Sequence, residues 1–145
     1  MGITCKDLKY CVELARETDR LREQVIRMRA RAEGMSARID KRNGGQRVKD
    51  PIGTAVTNIT RLEERWELVY DEYIAMALRI DQAISGIRDP RWRDVMRMRY
   101  IEGMGWNEVC EHVNYSRSRV LDGHARGLAC ISKISLNTFG HNKDV

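Results

Sequence analysis

Residues 106–120 read Trp-Asn-Glu-Val-Cys-Glu-His-Val-Asn-Tyr-Ser-Arg-Ser-Arg-Val, and the reading of the whole chain turns on them. Trp106, Val109, Cys110 and Val113 recur at helical spacing and give a short helix one apolar face. Asn114 tolerates the left-handed backbone that a tight turn between helices requires, and Ser116 is a good cap for the helix that follows. That second helix is expected over about 116–131. Cys110 is small enough to sit where the two helices cross, Val113 and Val120 flank the turn on its core side, and Tyr115 covers it from outside. A short helix, a tight turn and a basic second helix form the layout of a helix-turn-helix, whose second helix enters the DNA major groove with its N-terminal residues leading.

In that layout the first-turn side chains Arg117, Ser118 and Arg119 are free to reach base edges, and the bidentate fork of arginine matches guanine. Asp122, one turn further, either accepts from cytosine or pairs with Arg119 or Arg126. Arg126, Asn107 and Arg93 suit phosphate by type, as do the other arginines before the turn, Arg91, Arg97 and Arg99. His124 lies four residues after Val120 and is expected to pack against the core.

Upstream, Asp89-Pro90 is a helix start, with Asp as N-cap and Pro at the first helical position. The helix should run to about Glu102, bury Val95 and Met98 with help from Tyr100 and Ile101, and end at Gly103-Met104-Gly105. Two long stripes precede it. The first runs through Cys11, Leu14, Thr18, Leu21, Val25, Met28, Ala32 and Met35, with intervals of three and four alternating as in a heptad seam. Thr4 is a plausible N-cap for it, with Asp7 supplying charge to the first turn. The second runs through Ile52, Ala55, Ile59, Leu62, Trp66, Val69, Tyr73, Met76, Ile80, Ala83 and Ile87.

Between the stripes, residues 36–50 are polar and basic and contain Asn43-Gly44-Gly45, a strong chain-breaker. They are expected to form a connection, either a solvated loop or one whose Arg38, Lys41, Arg42, Arg47 and Lys49 touch phosphate. Two long amphipathic helices joined by one connection pack most simply as an antiparallel hairpin, with Leu21, Val25, Leu62, Trp66, Val69 and Tyr73 in its core. Apolar residues beside the seam (Val12, Ile26, Val56, Ile74 and Ile84) widen the stripe and argue for a further partner, with a homodimer favoured. The expected fold is therefore all-α: a long coiled-coil-like hairpin over 1–88, a three-helix module over 89–131 and a polar, flexible tail over 132–145.

The composition agrees with this and excludes several classes. The chain has 145 residues, 42% of them apolar, with two Pro and one Phe, which favours helices over strands. No apolar run approaches a membrane span or a secretory leader, so a cytoplasmic protein is expected. Cys5, Cys11, Cys110 and Cys130 stand far apart with no metal-ligand spacing beside them, and no Gly-rich phosphate loop or nucleophile with a partnered base is visible. No enzyme activity, metal or cofactor is expected. Net charge is +5 overall, divided as +5 over 1–50, −2 over 51–88 and +2 over 89–145. One module with so small an excess would bind DNA weakly and in a salt-sensitive way, and two modules joined in an oligomer would gain by effective concentration.

The run from Arg93 to Leu128 resembles region four of bacterial sigma factors. It is closer still to small phage regulators, the RinA-like and ArpU-like late-gene activators. The match is carried by Met98-Arg99-Tyr100-Ile101-Glu102-Gly103, Trp106-Asn107-Glu108-Val109, Asn114-Tyr115-Ser116, and Val120 with His124 and Leu128. The resemblance implies a sequence-specific, double-stranded-DNA-binding regulator of transcription from a phage or prophage, one that contacts host RNA polymerase as region-four domains do. The sequence departs from that pattern at Gly123 and Gly127, each of which costs about 1 kcal/mol of helix stability. The far half of the recognition helix is accordingly expected to order fully only on DNA. The alternative is a packaging protein of small-terminase type, an oligomeric ring that uses the same module to hold a packaging site.

Overall fold

A computed structural model describes the backbone over residues 2–41 and 51–139 and the side chains over 2–35 and 52–131. Five helices are present and no strand occurs among the described residues: α1 (Cys5–Lys41), α2 (Pro51–Ile84), α3 (Pro90–Tyr100), α4 (Trp106–Val113) and α5 (Arg117–Phe139). Their starts follow local chemistry. Thr4 Oγ1 accepts from the Asp7 amide at 3.2 Å while Asp7 accepts from the Thr4 amide at 2.9 Å, so each satisfies an otherwise orphaned donor at the head of α1. At α3 the Asp89 side chain accepts from the Arg91 amide, with Pro90 in the first turn.

The chain divides into two compact units, one of residues 17–71 and one of residues 1–16 with 72–145. In the first, α1 and α2 lie antiparallel: Arg29 pairs with Glu63, and Arg65 reaches Glu17 at 3.6 Å. Leu21, Val25 and Ile59 are buried along the seam, and Leu62, Trp66 and Val69 are half-buried beside it. Thr18 is buried in the same row. This is the hairpin that the alternating stripes predict.

In the second unit one apolar cluster joins residues from all five helices. Ile3, Leu8 and Cys11 come from the chain's beginning and Ala77, Ile80, Ile84 and Ile87 from the end of α2 and its exit. Trp92, Val95, Met96, Val109, Val120 and Ile131 come from α3, α4 and α5. The compact unit thus reaches across the Asp89-Pro90 boundary, because the ends of α1 and α2 carry apolar residues on more than one face. Val12 and Ile84, which widen the stripes, are buried here, whereas Ile26 and Val56 are more than half exposed. Tyr73 belongs to this unit as well: its hydroxyl donates to the Ile101 carbonyl at 2.5 Å.

Two features correct the sequence reading of α5. It is helical through Gly123 and Gly127 and on past Ile131 to Phe139, where no Gly or Pro intervenes to stop it. The glycines are there because α3 comes close. A Cβ at Gly123 would lie 2.1 Å from the Trp92 ring, and one at Gly127 would lie 2.8 Å from Met96 Cγ. Local propensity registers only what glycine costs the helix; the neighbour that needs the space lies on another helix. The connection expected at 36–50 also shortens, since α1 runs to Lys41; the rest of it, 42–50, and the tail residues 140–145 lie outside the described residues.

The glycines give opposite expectations for one and the same substitution. Gly123→Ala and Gly127→Ala should each destabilise the protein by about 1–3 kcal/mol through overpacking against Trp92 and Met96. Gly34→Ala, at a helical position with nothing within 4 Å of the new methyl, should stabilise it by up to about 1 kcal/mol. Urea unfolding of the three variants checks the sign at each position.

Candidate nucleic-acid interface

The surface formed by the α4–α5 turn is built from the core outward. α3 ends at Tyr100, and Gly103 turns the chain at φ 71°, where its α-carbon faces Ala15 and the Val12 carbonyl so closely that a Cβ would stand 3.3 Å from Ala15. α4 then begins at Trp106 with Gly105 as N-cap and no side-chain cap. It ends at Asn114, which adopts φ 58° and ψ 40°, the left-handed turn residue expected from the sequence. The Ser116 hydroxyl accepts from the Arg119 amide at 3.3 Å and starts α5.

Beneath the turn, Trp106, His124, Tyr100 and Arg99 form a polar and aromatic layer. The Trp106 ring meets His124 edge-on at 4.7 Å, and the Tyr100 hydroxyl lies 2.5 Å from His124 Nε2. The Arg99 guanidinium covers the Trp106 ring at 4.5 Å and donates to the Met104 carbonyl at 2.9 Å. Burial, reinforced by the Arg99 charge, pushes the His124 imidazole down to about 4. His124 is therefore neutral at physiological pH and shares a hydrogen bond with the Tyr100 hydroxyl, in keeping with its expected place against the core.

The predicted base-reading residues Arg117, Ser118, Arg119 and Asp122 are all exposed. Two of them are held. Arg117 donates to Asn107 Oδ1 at 3.2 Å, which joins the first turn of α5 to α4, and the Arg119 guanidinium lies 4.2 Å from the Tyr115 ring centre. Asp122 takes the second of its two sequence alternatives and pairs with Arg126 at 3.2 Å, one turn along the same helix. Both partners are exposed, so the pair itself adds little to stability.

Among the residues suited to phosphate, Asn107 and Arg126 are exposed. Arg93 is engaged inside the protein: it is half-buried and donates to the Ile87 and Arg88 carbonyls at 2.8 and 3.1 Å, tying down the exit of α2. Arg97 is likewise held, by Asp81 at 2.7 Å. Arg91 is the arginine of α3 that stays exposed beside the turn. Asp89 binds its guanidinium twice, at 2.7 and 3.1 Å, and Tyr115 faces it too. The Arg91 bonds hold the Asp89 carboxyl down to about 2. Four arginines on one short helix look alike in sequence, so only the packing of α3 separates Arg91 from the rest.

Elsewhere the candidate sites are sparse. No group of three His, Cys, Asp or Glu that could hold a metal occurs among the described residues, and no described helix is long and apolar enough to cross a membrane. The Cys11 thiol is buried and pushed up to about 11, whereas Cys5 is exposed.

A helical pair followed by a three-helix module with an exposed basic turn is the class that the fold defines. Residues 33–125, well over half of the chain and including α2, α3, α4 and the first turns of α5, match the family model described as "Protein of unknown function (DUF1492)". The chain belongs to that family. No curated protein and no solved structure matches it.

The low His124 value fixes a direction for pH dependence. In the unfolded chain the imidazole takes up its proton near 6.5 and in the folded one only near 4, so between these values the unfolded state binds more protons and stability falls on acidification. The loss should begin below pH 6.5 and be complete near pH 4. Thermal unfolding of the protein and of His124→Gln over this range checks it: the variant should lose less on acidification than the unmodified chain.

Proposed function

We propose that this protein is a sequence-specific DNA-binding regulator of transcription, of the phage or prophage type that the RinA-like and ArpU-like proteins represent. It acts without catalysis, in the cytoplasm of a bacterial host. The observation that carries this reading is the first turn of α5. Arg117, Ser118 and Arg119 are exposed directly after the left-handed Asn114 turn, and Asn107 and Tyr115 hold the two arginines in place. A helix entering the major groove reads bases with these positions. Arginine's fixed fork gives the commonest specific contact, with guanine. Asn107 and Arg126 would bind the flanking phosphates. Contact with host RNA polymerase is part of the same proposal and rests on the resemblance to sigma region four.

The hairpin of residues 17–71 supports a homodimer as the working form. Ile26, Val56 and Leu68 are 56%, 53% and 72% exposed there, and the Trp66 indole N–H is enclosed without an acceptor among the described residues. Two modules on one duplex would offset the small positive charge of each.

Selection of preferred sequences from random duplexes, followed by binding at two salt concentrations with the mass measured in parallel, tests the proposal. The expected result is a preferred site that outlasts raised salt. In Arg117→Ala/Arg119→Ala the affinity for that site should fall by about 1–3 kcal/mol per lost arginine pairing while binding to random DNA changes far less. Equal loss on both DNAs would contradict base readout.

A further inference from the structure

The turn between α4 and α5 carries an arrangement that a helix-turn-helix layout does not require. Tyr115 stands between two arginines from different helices. The Arg119 guanidinium of α5 lies over its ring at 4.2 Å, and the Arg91 guanidinium of α3 faces its hydroxyl side. Arg91 is itself gripped by both carboxylate oxygens of Asp89, the residue that caps α3. The Tyr115 ring is half-buried and packs on the apolar cluster, so it is a fixed platform, whereas both arginines are exposed.

A free arginine side chain samples many rotamers and must lose that freedom when it binds; one already resting on a fixed aromatic face loses less. Among the candidate readers Arg117 bonds Asn107 and Asp122 pairs with Arg126, whereas Arg119 rests on the Tyr115 ring.

From this geometry we infer that Tyr115 is a positioning residue for sequence discrimination, holding Arg119 for base readout, and that Arg91 on the same ridge is a phosphate contact. The inference rests on the DNA-binding reading and goes beyond it by assigning roles to two residues outside the α5 first turn. Tyr115 acts through Arg119, so its loss weakens the preference for the chosen site and leaves random binding intact. Arg91 carries charge and no sequence information, so its loss weakens both.

The test uses the full chain with Tyr115→Phe, Tyr115→Leu and Arg91→Gln, titrated with the selected duplex and with a random one at two salt concentrations, with melting temperature recorded for each. Tyr115→Phe keeps the aromatic face and should retain the discrimination of the unmodified protein. Tyr115→Leu should lose about fivefold of it, the equivalent of one newly ordered side chain, with melting and random binding unchanged. Arg91→Gln should weaken both duplexes alike and reduce the salt slope by about one. Unchanged discrimination in Tyr115→Leu overturns the positioning role, as does an equal loss in Phe and Leu. A lowered melting temperature with loss on both duplexes would make Tyr115 structural and overturns it too. Full affinity in Arg91→Gln overturns the phosphate role. If the unmodified protein prefers no sequence, the DNA reading itself falls and the inference falls with it.

Discussion

The close approach of α5 to α3 is the constraint on which the rest of the C-terminal unit depends. Gly123 lies against the Trp92 ring and Gly127 against Met96, with no room for a methyl group at either point. Trp92 and Met96 are in turn buried in the cluster that Val95, Val109 and Val120 complete. Once the two helices touch at these points, the direction of α5 is fixed. The Asn114 turn then sets α4 across it, and the first turn of α5 is left exposed beyond the core. A helix weakened by two glycines in isolation is stabilised in the folded chain by the apolar surface that those glycines allow it to bury.

The same unit draws on the beginning of α1 and the end of α2. Ile3, Leu8, Cys11, Ala77, Ile80 and Ile84 supply much of its buried surface, Tyr73 bonds the Ile101 carbonyl at the end of α3, and Gly103 turns against Ala15. A three-helix module of about forty residues can bury little surface by itself. Here the missing surface comes from segments far away in the sequence, so the three helices after Asp89 depend on residues 1–16 and 72–88 for their core.

What the sequence made legible was set by how local each signal is. The Thr4–Asp7 pair, the Asp89-Pro90 start, the left-handed Asn114 and the Ser116 cap each act within a turn of chain, and each is found where local chemistry puts it. The two stripes were equally plain, because burial on one face of a helix imposes its own period. Signals that depend on a distant neighbour were read less well. Gly123 and Gly127 look like helix defects until Trp92 and Met96 are seen opposite them. The division of labour among the α3 arginines, with Arg93 on backbone carbonyls, Arg97 on Asp81 and Arg91 beside Tyr115, follows from which face of α3 is buried. Tyr73 has the spacing of the hairpin stripe, yet its hydroxyl is committed to Ile101.

The proposed function rests on a short basic ridge built on a glycine-mediated helix contact, proposed to read DNA, with the hairpin of residues 17–71 proposed to pair with a second copy. Amide chemical-shift mapping during titration with the selected duplex tests this most directly, because it reports every backbone position at once. The account predicts changes concentrated at Arg91, Asn107 and residues 115–122, with residues 17–35 and 52–71 little altered. Changes centred on those hairpin segments, with the α4–α5 turn silent, would contradict it.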